Sequence, residues 1–75
     1  MNTTGRRQPK ESALRRWRLS NGLTLEDIEG LTGKDASYIS RLERGERQLR
    51  PIERVRFARA VGARVDELFP PSELP

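Results

Sequence analysis

Seventy-five residues with a net charge of +4 allow one domain with a small core. The chain has no histidine and no cysteine, which excludes zinc ligation by those residues, disulfide staples, and Ser-His or Cys-His catalysis within it. No apolar run approaches the roughly 18 residues of a membrane span, and no signal-peptide pattern opens the sequence, so the cytoplasm is the expected compartment.

Met1 to Pro9 is polar, lacks periodicity and ends in proline, which predicts a mobile segment over 1–9. Its Gly5, Arg6 and Arg7 either carry incidental charge or form a basic arm along DNA. Helix one is predicted from about Lys10 to Ser20, with Leu14, Trp17, Arg18 and Asn21 on one face and Gly22 as its stop. Leu14 and Trp17 are core candidates. Arg18 on their face is anomalous, because a buried charge needs a partner.

Leu23 to Gly45 reads as helix, tight turn, helix. Thr24 is the expected N-cap of helix two, and Asp27 three residues later makes a short-armed capping box. Leu25, Ile28, Leu31 and Thr32 line one side, and Gly33 ends the helix in the left-handed conformation that glycine takes without steric cost. Gly30 inside it costs up to ~1 kcal/mol relative to alanine and leaves room for another backbone. Asp35 caps helix three, whose apolar residues are Ala36, Ile39 and Leu42, and Gly45 ends it. Two short helices joined through a glycine turn are a helix-turn-helix signature. The small and polar residues Ala36, Ser37 and Ser40, with Arg41, give helix three a surface suited to the polar base edges of a DNA major groove.

Arg44 to Arg50 is a basic loop, and Pro51 fits the first turn of helix four. Phe57, Ala58 and Val61 form the stripe of that helix, which Gly62 ends. Arg54 lies within the stripe, its stem packing and its head reaching the edge. Val65, Leu68 and Phe69 make a short fifth helix stopped by Pro70 and Pro71, and Pro70 to Pro75 reads as unstructured. Residues 1–20 sum to +5, 21–40 to −3, 41–64 to +5 and 65–75 to −3. Basic blocks flanking a groove-reading helix suit a phosphate-binding rim; a generally arginine-rich composition explains them equally well.

Leu14 to Phe69 resembles the Cro/repressor-type, or XRE, helix-turn-helix family over about three quarters of the chain. The residues that carry the resemblance are Tyr38-Ile39-Ser40-Arg41-Leu42-Glu43-Arg44-Gly45, Ala58-Arg59-Ala60-Val61-Gly62 and Val65-Asp66-Glu67-Leu68-Phe69. The resemblance implies an all-α, lambda-repressor-like bundle of four to five short helices over 10–69, between a basic arm (1–9) and a Pro-rich tail (70–75). It implies operator binding, commonly as a dimer. The family's base-reading positions fall on Ala36, Ser37, Ser40 and Arg41, and its phosphate-contacting positions on Arg44, Arg47, Gln48 and Arg50. Its structural ion pair falls on Arg18 and Glu43. Three positions depart from the pattern: Leu25 where glutamine is common, Glu29 where a small alanine is common, and Lys34 where the turn is usually apolar. Lys34 is a candidate replacement for the phosphate contact that Leu25 cannot make.

From the residues themselves, Arg41 fits a guanine edge, a phosphate or an acidic partner, and Tyr38 either a phosphate or the core cover. A homodimer is expected through Val65, Leu68 and Phe69. The alternative function is a protein-interaction module, such as an antitoxin, using acidic helix two (Glu26, Asp27, Glu29) or the Leu68/Phe69 end. No cofactor or metal is expected. The remaining carboxylates and arginines form no grouping of nucleophile, base and orienter, so no enzymatic activity is expected.

Overall fold

The structure is a computed structural model that describes residues 11–74; the arm expected at 1–9 lies outside the described residues. Five α-helices follow in order: α1 (Ala13–Ser20), α2 (Leu25–Thr32), α3 (Ala36–Glu43), α4 (Pro51–Val61) and α5 (Val65–Leu68). A 3-10 turn, Pro71–Glu73, closes the described chain. There is no strand among the described residues. The fold is thus an all-helical bundle with α2 and α3 as its helix-turn-helix.

Local chemistry sets the boundaries. At α2 the capping box is reciprocal: Thr24 Oγ1 accepts the Asp27 N–H at 3.0 Å, and Asp27 accepts the Thr24 N–H at 2.8 Å. Gly33, at φ 77°, turns the chain out of α2, and Asp35 starts α3 by accepting the Ser37 N–H at 3.1 Å. Helix α1 begins at Ala13, later than the periodicity suggests, because Ser12 stays extended and caps the Arg15 N–H at 3.1 Å.

The core joins Leu14, Ile28, Ile39, Leu42, Leu49, Phe57, Ala58 and Leu68, with Trp17, Leu25, Tyr38 and Phe69 packed against it. Phe69 meets Phe57 edge to face at 5.7 Å between ring centres. Helix α3 is cradled by α2 and α1, and α1 packs on α5.

Several expectations are corrected, and one core residue emerges that the sequence did not signal. Leu31 is 51% exposed and lies outside the core that Ile28 joins. Leu49, inside the polar run RGERQLR, is buried at 3%. Leu68 is fully buried at 0% and Phe69 is half-buried on Phe57, so the Leu68/Phe69 end closes the core instead of offering an apolar surface. Pro71–Glu73 is ordered, not unstructured, because Glu73 accepts the Ala13 N–H. Gly30 has no atom within 4 Å of where a Cβ would stand, so no backbone approaches it here.

Candidate nucleic-acid interface

The two faces of α3 differ. Ile39, Leu42 and Glu43 are buried, whereas Ser37, Arg41 and, just beyond the helix, Arg44 are exposed. A pitch of 3.6 residues puts 37, 41 and 44 on one side. Ala36, Tyr38 and Ser40 are half-buried at its flanks.

The inner face is fixed by Arg18 and Glu43. Arg18 Nε donates to Glu43 Oε2 at 2.6 Å and Nη2 to Oε1 at 3.0 Å, while Nη1 donates to the Leu23 carbonyl at 3.0 Å. The Glu43 hydrogen bond holds the Arg18 guanidinium above its ordinary pKa. Arg15 approaches Glu43 Oε1 at 3.7 Å from a half-exposed position. One arginine thus ties α1, the turn before α2 and the end of α3 together, and no buried side-chain nitrogen or oxygen lacks a partner among the described residues.

At the start of α3, Asp35 accepts from both the Ser37 hydroxyl and its N–H. These bonds, chiefly the Ser37 side-chain one, hold the Asp35 carboxyl below the usual carboxylate range; the charge of Arg41 adds the smallest contribution. Arg41 therefore lies within electrostatic reach of the first turn, as expected for a helical side chain leaning toward the N-terminus. It makes no ion pair among the described residues. Lys34 Nζ stands 5.6 Å over the Tyr38 ring, a cation–π contact, and Tyr38 packs on the core.

The basic loop is anchored from below. Leu49 is buried, and its carbonyl accepts from Arg54 Nη1 at 2.7 Å. Arg54 thus packs its stem and spends its head on the loop backbone. Above this anchor Arg47, Gln48 and Arg50 are exposed. Arg50 lies 3.7 Å from Glu53. Arg44 is engaged more fully: it pairs with Glu46 at 3.0 Å and donates to Ser40 Oγ at 3.1 Å. The sequence reading missed these partners, although Glu46 two positions after Arg44 was the available signal. Both members of that pair are more than half exposed, so the pair is weak and its arginine can be drawn to another anion. Leu25 is half-buried against the core, and α2 packs closely on α3 despite Glu29, which is half-buried at the edge.

Residues 12–69 match the helix-turn-helix domain family. The chain belongs to that family, which places it among the helix-turn-helix DNA-binding domains. It is similar to the uncharacterized HTH-type transcriptional regulator y4dJ of Sinorhizobium fredii: 38% identical over 58 residues, covering 77% of this chain and 75% of that protein. No solved structure matches the chain. No helix among the described residues is long and apolar enough to cross a membrane.

Proposed function

We propose that the chain is a sequence-specific regulator of transcription of the Cro/repressor type, which places α3 in the major groove of double-stranded DNA and acts as a homodimer on a two-fold operator. The observation that carries this reading is the division of α3. One face is locked to the core by Glu43; the other offers Ser37 and Arg41, the latter without an ion pair among the described residues, beside a basic loop. Arg41 reads a guanine through its planar fork, Ser37 and Ser40 contact neighbouring base edges, and Ala36 meets a thymine methyl. Lys34, Tyr38, Arg44, Arg47, Gln48 and Arg50 form the phosphate rim, which positions the protein without reading sequence. The similarity to an HTH-type transcriptional regulator supports a regulatory role.

Two-fold pairing sets two recognition helices about 34 Å apart, one turn of the duplex. With Leu68 buried, the dimer surface falls instead on Ile52 and Val55, one turn apart on the outward side of α4 and 55% and 40% exposed, with Val65 at 39%. A second reading, an interaction module acting through α2, draws on the exposure of Leu31 on the same helix as Glu26 and Asp27.

The test is selection of bound sequences from a random duplex pool, then Arg41→Ala and Arg47→Ala on selected and scrambled duplexes at several salt concentrations. Arg41→Ala should cost about 1–3 kcal/mol on the selected site and relax one base preference per half-site. Arg47→Ala should weaken all sequences alike and flatten the salt slope by about one unit for each phosphate it ceases to neutralise. Equal losses on both duplexes for Arg41→Ala would assign it to phosphate. No enrichment and no salt-dependent binding would remove the reading in favour of the interaction module.

A further inference from the structure

We propose that Pro71–Glu73 is a strap that completes α1 from 60 positions along the chain and so steadies the helix that clamps α3. Helix α1 has eight residues, fewer than an isolated helix needs to persist in water. Its first turn holds no acid and carries Arg15 and Arg16, positive charge at the positive end of the helix dipole. Ser12 serves only the Arg15 N–H among the orphan donors of that turn. The nearby acid, Glu11, is turned to the Arg15 side chain at 3.3 Å, and it is Glu73 that serves the helix backbone: its two carboxylate oxygens accept the Ala13 N–H at 2.9 and 3.2 Å.

The strap is built to arrive there. Phe69 is seated on Phe57, and Pro70 and Pro71 fix the backbone that follows. The Glu73 N–H donates to the Pro70 carbonyl at 2.9 Å and the Leu74 N–H to the Pro71 carbonyl at 3.1 Å. Leu74 is half-buried. The strap forms one wall of an open cleft whose other wall includes Arg44 and Arg47. Among the described residues Glu73 nevertheless makes no ion pair; its carboxylate is committed to the helix end. The strap lies just beyond the residues matched by the family, 12–69. The same helix carries Arg18, the clamp on α3, toward its other end.

Amide hydrogen exchange and thermal melting of full-length variants test the proposal. Glu73→Ala should speed exchange at the Ala13 amide about tenfold or more relative to the parent and lower the melting temperature by about 4 °C. Glu73→Gln, which keeps an acceptor but no charge, should fall between. Adding Arg16→Glu to Glu73→Ala puts an acid into the first turn of α1 and should recover part of the lost melting temperature. Ala13 exchange within twofold of the parent in Glu73→Ala would overturn the proposal. So would a double variant no more stable than the single one, since that would reduce the strap to side-chain packing.

Discussion

Arg18 has its guanidinium shared between a carboxylate and a carbonyl, and that arrangement decides which substitution hurts most. Taking both charges out of water is costly, and the bidentate geometry offsets the cost only while both partners stay. Arg18→Met leaves Glu43 with Arg15 still 3.7 Å away. Glu43→Ala leaves a buried guanidinium with only the Leu23 carbonyl, so it is the worse single change. We expect Glu43→Ala to lose about 3–5 kcal/mol, and Arg18→Met with Glu43→Leu to recover most of that loss, in urea denaturation. A loss below about 1 kcal/mol for Glu43→Ala would mean that the pair is solvated. Arg18 was legible in the sequence because a charge sat on the Leu14/Trp17 face. Leu49 was not, because one apolar residue inside RGERQLR has no periodic neighbours; in the fold it joins the core and its carbonyl accepts from Arg54. The Glu73–Ala13 contact joins positions too far apart for any pattern of spacing to reveal.

At the scale of helices, α2, α3 and α4 were readable end to end because their caps lie in adjacent residues: Thr24 with Asp27, Asp35 with Ser37, Pro51 at the start and Gly62 at the finish. The start of α1 was not, because Ser12 competes with a helix-compatible run before it. These caps give stability a pH dependence. The Asp27 carboxyl is held below its ordinary range chiefly by the Thr24 N–H, and that of Asp35 chiefly by the Ser37 hydroxyl. A carboxyl lowered in the folded state contributes fully above its unfolded value of about 3.9 and loses that contribution as pH falls through the folded value. Asp35→Asn keeps a good cap but removes the titration, so its melting temperature should fall less steeply than the parent's below about pH 4. Parallel curves would discount the Asp35 contribution. Gly30 offers the opposite lever. It is exposed within α2, with a non-positive φ and open space around it. Gly30→Ala should therefore stabilise by about 0.5–1 kcal/mol, raising the melting temperature by a few degrees. A decrease would reveal a contact at Gly30 that the isolated chain lacks.

For the molecule as a whole, the homodimer we propose rests on the exposed apolar side chains of α4, Ile52 and Val55. Val55→Glu should leave the melting temperature within about 2 °C of the parent, because Val55 is outside the core. In sedimentation with a palindromic duplex it should convert two-to-one complexes into one-to-one. Two-to-one complexes that persist would place the contact elsewhere. The strap, finally, has a kinetic consequence. Helices packed largely on their neighbours in sequence fold within about microseconds to milliseconds, and here the long closure is made by α1 meeting α5. Once those helices meet, Glu73 is already near Ala13, so its bond adds little further loop closure. Contacts absent from the transition state act on the unfolding rate alone. We expect Glu73→Ala to shorten the time the folded bundle lasts before it opens and to leave the speed of its formation unchanged in stopped-flow measurements; slower formation would put the bond in the transition state.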